Sequence, residues 1–130
     1  MKLLISRDMT IKDVNKSFQK SFPYLKLEFY SCDHIPGQTS LWSDSLDEDT
    51  GLSNLMVNMT SAIIEFEPTD NVSELEQRFL TQSGLLVRVY RNINGVWQET
   101  VRSGKLELDR QNTLGQLSFK YNYNKYTLFL

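Results

Sequence analysis

Laid on itself at an offset of 61 residues, the chain repeats one pattern: strand, capped helix, strand. Thr10 falls on Asn71, Ile11 on Val72, Asp13 on Glu74, Val14 on Leu75 and Phe18 on Phe79. Thr10 and Asn71 are N-cap residues, each with an acid three positions on, as in a capping box. Ile11, Val14 and Phe18, and likewise Val72, Leu75 and Phe79, are spaced i, i+3, i+7, so each helix carries one apolar stripe. Pro23 and Gly84, at matching positions, stop the two helices by different means. Lys2 to Ser6 and Ala62 to Glu67 read as the strands before the helices, with Leu3, Ile5, Ile64 and Phe66 inward. Leu25, Leu27 and Phe29, then Leu85, Val87 and Val89, alternate with other residues as strands after them.

Two β-α-β units in a chain this short predict an α+β domain: a mixed sheet of four to six strands with two main helices on one face. A ferredoxin-like split βαβ is the alternative description of the same element order. The expected core is Leu3, Ile5, Ile11, Val14, Phe18, Phe22, Leu25, Leu27, Ile64, Phe66, Val72, Leu75, Phe79, Val87 and Val89. With 130 residues the chain is expected to be a single domain, 1–130. It divides into a first unit (1–31), a polar connecting segment (32–61), a second unit with a hairpin (62–102), and a short helix followed by an aromatic tail (103–130). The connecting segment is too long for an ordinary loop and reads as a lid or an insertion, with a helical turn near Thr50. Asn94-Gly95 marks a hairpin turn. Face matching favours a three-residue loop over Ile93 to Gly95, which would set Val87 against Val101, Val89 against Glu99 and Arg91 against Trp97. Leu106 to Leu114 reads as a short helix closed by Gly115.

Charge is segregated along the chain. Residues 1–26 carry +4, residues 27–77 carry −11 with no Lys or Arg, and residues 78–130 carry +5, for a net −2. A balance so near zero does not suit a dedicated nucleic-acid binder or a polybasic membrane module. Folding of the acidic middle against the basic flanks is expected, with Glu65 and Glu67 near Arg88 or Lys26. The longest apolar runs are far too short to span a bilayer. Cys32 is the only cysteine, so neither a disulfide framework nor a thiolate metal site is expected, and a cytoplasmic location is the simplest home.

Chemistry-bearing motifs are few. Cys32-Asp33-His34 places a thiol beside a base, but neighbours on an extended segment point apart, so no catalytic residue is assigned. Asp44 to Asp49 is acidic but lacks the order and the sixth-position glycine of a calcium loop, so no metal site is assigned. No phosphate loop, dinucleotide fingerprint or serine elbow occurs, and no cofactor is implied. Arg88, Tyr90 and Arg102 share the polar face of the expected hairpin and form a candidate interaction surface. It resembles an RNA platform only in composition, since no RNP-type motif surrounds it. His34 and Trp42 are the candidate ligand-binding residues, under the 31–60 segment.

Five of the fifteen aromatic residues lie in the last twelve positions. Phe119, Tyr121 and Tyr123 alternate with Ser118, Lys120 and Asn122, the period of a strand. They join the candidate interaction surface. Two destinations stay open for them: the protein's own sheet, or a second copy through edge-strand pairing. The expectation is that this tail covers a sheet edge and contributes to a homodimer.

Several segments together carry a family resemblance. They are Thr10-Ile-Lys-Asp-Val-Asn-Lys-Ser-Phe18, Phe22-Pro-Tyr-Leu-Lys-Leu-Glu-Phe29, Val72-Ser-Glu-Leu-Glu-Gln-Arg-Phe79, Gly84-Leu-Leu-Val-Arg-Val-Tyr-Arg91 and Val96-Trp-Gln-Glu-Thr100. The chain resembles a set of small uncharacterised proteins from Bacteroidetes genomes. The likeness covers most of residues 1–115; where that family tends to carry a Trp-Thr-Leu-Glu-Glu-Gln-Asn-like helix, Leu106 to Arg110 replace its Trp and Thr. It implies a fold and a bacterial cytoplasmic setting, and transfers no site residue.

The function these features favour is a non-enzymatic interaction module that binds a protein partner, as yet unknown, or itself. A small-molecule-binding protein or minor enzyme, with a pocket under the 31–60 segment, is the alternative.

Overall fold

The computed structural model describes residues 1–33, 41–42, 44–100 and 104–106. The elements are β1 (Lys2–Ser6), α1 (Ile11–Ser21), β2 (Leu25–Tyr30), β3 (Cys32–Asp33), β4 (Leu41–Trp42), β5 (Ser61–Glu65), α2 (Val72–Ser83), β6 (Leu86–Ile93) and β7 (Val96–Glu99), with a 3₁₀ turn at Leu52–Asn54. Thr10 starts α1 through a full capping box: its Oγ1 accepts the Asp13 N–H, and the Asp13 carboxylate accepts the Thr10 N–H at 3.0 Å. At α2 the Glu74 carboxylate takes the Asn71 N–H at 2.7 Å. Gly84 ends α2 at φ 74, a conformation that a side chain would strain.

The α+β class and both β-α-β units are present. Their strands, however, form antiparallel ladders where a mixed sheet was expected. β1 pairs with β5, β2 with β6 and β6 with β7, while β3 and β4 make a separate short hairpin. Each long strand of the first unit therefore pairs with its own counterpart in the second, the pattern a two-fold relation between the units produces. Each helix packs on both strands of its own unit and so bridges the two ladders. The inner faces of both sheets and both helix stripes meet in one core. All fifteen expected core residues are buried, and Phe29, Leu52, Met56, Leu85 and Leu106 join them. Phe18, Phe22 and Phe66 form a tilted triad with ring centroids 5.6–5.9 Å apart, and Phe29 meets Phe79 edge-on at 6.2 Å.

The correspondence between units reaches further than the sequence offset shows. Thr10 bridges Gly51, while Asn71 bridges Lys105. The Ile11 N–H donates to the Thr50 carbonyl and the Leu52 N–H to that of Met9; in the same way, the Val72 N–H donates to Gly104 and the Leu106 N–H to Asp70. Leu52 and Leu106 both go to zero exposure. The described part of the connecting segment is thus no lid. Residues 44–60 tie down the start of α1 and contribute Leu52 and Met56 to the core.

The hairpin differs from expectation. Tyr90 faces Glu99, Arg91 faces Gln98 and Ile93 faces Val96, so Asn94-Gly95 is a two-residue turn. Positive φ at both residues, 52° and 85°, is the type I′ geometry whose twist matches that of the strands. Turn geometry overrode face matching, and the consequence is that Thr100 comes opposite Val89 and is buried, beside Arg91, which shares the inward face of β6 in either register. Among the described residues the Thr100 Oγ1 has no hydrogen-bond partner. A buried hydroxyl in that condition costs free energy. Thr100→Val, of nearly the same shape, should raise stability by about 1 kcal/mol in urea unfolding. The expected helix 106–114 and the segment 116–130 lie outside the described residues, apart from Leu106, which is helical.

Ion pairs join the acidic middle to both basic flanks, as expected, but not through Glu65 or Glu67 with Arg88 or Lys26. Lys26 pairs with Glu28 at 2.7 Å, Arg88 with Glu99 at 3.5 Å, Arg78 with Asp70 at 2.5 Å, and the Met1 amino group with Glu67 at 3.4 Å. Glu65 and Glu67 lie on the β1–β5 side, whereas Lys26 and Arg88 belong to the other sheet, so sheet membership decides these contacts.

Candidate functional site

Edge hydrogen bonding separates the two sheets. In the β1–β5 ladder the Phe66 N–H donates to Met1 and the Arg7 N–H to Thr60, which makes Leu3/Ile64 and Ile5/Ala62 the hydrogen-bonded pairs. In such a ladder the intervening residues turn their N–H and C=O groups to the outer edges. These are Lys2, Leu4 and Ser6 on β1, and Ser61, Ile63 and Glu65 on β5. The Ser6 groups are met by Met9. The Glu65 carbonyl accepts Arg78 Nη1 at 3.1 Å. No described residue bonds to the edge-facing N–H and C=O of Ile63, or to the N–H of Glu65. The outer face above them is apolar as well: Leu4 and Ile63 are direct cross-strand partners, 58% and 53% exposed.

The outer edge of β2 is closed by contrast. Asn15 Nδ2 donates to the Leu27 carbonyl at 2.9 Å and its Oδ1 accepts the Leu27 N–H at 2.7 Å. Gln19 Nε2 donates to the Leu25 carbonyl, and the Leu46 N–H donates to that of Phe29. On β6 the Glu76 carboxylate, in the position that matches Asn15, accepts the Val89 N–H at 3.0 Å. Burial raises the Glu76 pKa above its ordinary value, against the pull of that N–H.

Beside the open β5 edge lies a cleft of about 550 Å³ lined by Ile63, Glu65, Phe66, Glu67, Asp70, Arg78 and Gln82. Of its three carboxylates, Asp70 engages Arg78 and Glu67 engages the Met1 amino group, so Glu65 supplies the excess negative charge. Burial pushes the Asp70 carboxyl up, but Arg78 and the Glu67 N–H outweigh it and hold it below its ordinary value. Such a group stabilises the folded state above the carboxylate range and loses that contribution as pH falls through it. Thermal unfolding should therefore show stability falling as pH drops toward and below 3.8, with a smaller fall in Asp70→Asn. The cleft is thus an acidic trough with an open main-chain edge along one wall, suited to an extended segment of positive charge.

The residues singled out in the sequence lie elsewhere or are outside the description. Arg88 and Tyr90 are on the outer face of the β2–β6–β7 sheet. There Arg88 faces Glu28 across the ladder and pairs with Glu99, while Tyr90 and Tyr30 hydroxyls meet at 3.3 Å. Lys26 sits 4.8 Å from the Trp97 ring centroid. Burial and the Tyr90 hydrogen bond raise the Tyr30 pKa. Cations on this face are matched by carboxylates. Trp42 belongs to β4 and pairs with Cys32 in register. His34, Arg102, Phe119, Tyr121 and Tyr123 lie outside the described residues. The β5 cleft went unread in the sequence, although one signal was present: Leu4 and Ile63 give β1 and β5 apolar residues on both faces, more than one core needs.

No family model, curated protein or solved structure matches the chain. Among the described residues, no helix is long and apolar enough to cross a membrane.

Proposed function

We propose that this chain is a non-enzymatic interaction module that binds an extended, positively charged segment by strand addition along β5. The observation that carries the reading is that, among the described residues, the edge-facing N–H and C=O of Ile63 and the N–H of Glu65 are unpaired beside an acidic cleft, in a protein that closes its β2 edge with its own side chains. Main-chain bonds to the edge supply affinity, and alternate side chains entering the cleft supply selectivity. A second copy of the chain is one source of such a segment, which keeps self-association within the reading. The single cysteine supports a cytoplasmic setting.

Ile63→Pro provides the test, because it removes an N–H that faces away from β1 and leaves the β1–β5 ladder its own bonds. Displayed peptides selected on the full chain should alternate apolar and polar residues and carry net positive charge. Ile63→Pro should bind them at least about tenfold more weakly, a loss of about 1.4 kcal/mol, while unfolding at an unchanged temperature. Equal binding by both proteins would remove the edge from the reading.

A further inference from the structure

We propose that the strand added to the β5 edge is β5 of a second copy of this chain, running antiparallel on a two-fold axis that passes between the two Ile63 residues. The inference rests on the strand-addition reading above for its edge and names the partner that fills it.

The order of residues along the edge selects this partner. The open stretch is short and bounded. Ser61, Ile63 and Glu65 turn their main-chain groups outward, and the next outward residue, Glu67, already gives its N–H to the Asp70 carboxylate at 2.7 Å. A two-fold mate requires that residue i meet j and that j meet i. Centred on Ile63, that condition sets Ile63 against Ile63 and Ser61 against Glu65 twice, so every outward residue of the stretch has a partner. Residues opposed in this way exchange both N–H···O bonds. The two Ile63 residues therefore bond each other, and each Glu65 N–H donates to a Ser61 carbonyl. The Glu65 carbonyl, which accepts Arg78 Nη1, keeps a second lone pair for the Ser61 N–H of the other copy.

β1 offers no such register. Its outward residues are Lys2, Leu4 and Ser6, and Ser6 is closed: Met9 Sδ accepts its N–H at 3.3 Å, and its carbonyl accepts the Met9 N–H. A mate centred on Leu4 would set Lys2 against that closed residue.

Side chains agree with the β5 register. Leu4 and Ile63, exposed cross-strand partners within one chain, become a continuous apolar row of Leu4, Ile63, Ile63 and Leu4 across four strands. Glu65 meets a serine and keeps Lys2 opposite it on β1. The two Glu65 side chains stand about 14 Å apart along the strands, beyond the screening length of about 8 Å. The pairing uses up the edge, so it closes as a dimer and does not propagate. Such a seam is small and exchanges with free monomer, and another protein's strand reaches the edge by displacing the second copy.

Amide hydrogen exchange and sedimentation equilibrium on the full chain test the pairing. Exchange at the Ile63 and Glu65 N–H groups should slow at least about tenfold as the chain is concentrated from about ten micromolar to about one millimolar, while the outward Leu4 N–H of β1 stays unchanged. Ile63→Lys and Ile63→Glu each put like charges at the axis, and each should dimerise at least about tenfold more weakly than the parent. Because Ile63 meets itself, an equimolar mixture of the two variants should return to within about threefold of the parent's affinity, which misfolded variants would not do. Exchange independent of concentration at both amides, variants that dimerise like the parent, or a mixture no tighter than its components each overturn the inference. If displayed basic peptides still bind the full chain and are lost in Ile63→Pro, the strand-addition reading stands without the dimer. With no peptide binding as well, both fall.

Discussion

Phe18→Ala should cost about 3–5 kcal/mol of stability, and Phe79→Ala should cost about as much, read as equal shifts in urea midpoint at constant slope. Both rings are at zero exposure, at the third apolar position of their helices. Phe18 closes a triad with Phe22 and Phe66, so its removal takes one ring contact from each and leaves a cavity beside them. Phe79 meets Phe29 edge-on and so joins α2 to a strand of the first unit. Matching losses would show that the two positions do equivalent work in one cooperative core. A loss below about 1 kcal/mol at either would show that one unit packs without its aromatic anchor.

Asn15→Leu should cost about 2 kcal/mol and change behaviour in solution as well. The amide of Asn15 acts as a short piece of strand: it donates to and accepts from the main chain of Leu27 in one place. Leucine has similar volume but leaves the Leu27 N–H and C=O unpaired at the edge of the larger sheet. An exposed edge recruits other chains, so the variant should scatter more light as concentration rises. A variant that loses stability but stays dispersed would show that Gln19 and Leu46 suffice to shield β2.

How much of this could be read from the residues depended on how local the deciding force was. Helix starts, helix stops and inward positions follow from periods and caps within a few residues, and Thr10, Asp13, Gly84 and every expected core position behave accordingly. Register at Asn94-Gly95 was misread because the requirement that inward residues be apolar was given more weight than turn twist. The structure accepts a buried Thr100 to keep the tighter turn. Which strands pair is decided by packing across the whole molecule, and nothing within Lys2 to Ser6 names Ser61 to Glu65 as its partner. The open edge had the same source of obscurity, since an unpaired main-chain group has no residue type of its own. Only the doubly apolar character of β1 and β5 at Leu4 and Ile63 hinted at it.

Pairing each strand with its counterpart has a consequence for how the chain comes to be folded. β1 has no partner until Ser61 to Glu65 has been synthesised, and β2 none until Leu86 to Arg91. The first unit, though complete in its elements, has no ladder of its own to close, and even the start of α1 waits for Thr50 and Gly51. Every ladder between the units closes a long loop before any pairing offsets its entropy. Contacts so distant in sequence slow folding, and a nascent chain stalled near residue 60 would present two bare strands and an uncovered helix stripe. Assembly is therefore held back until most of the chain has emerged, which makes the nascent first half the stage most in need of chaperone protection.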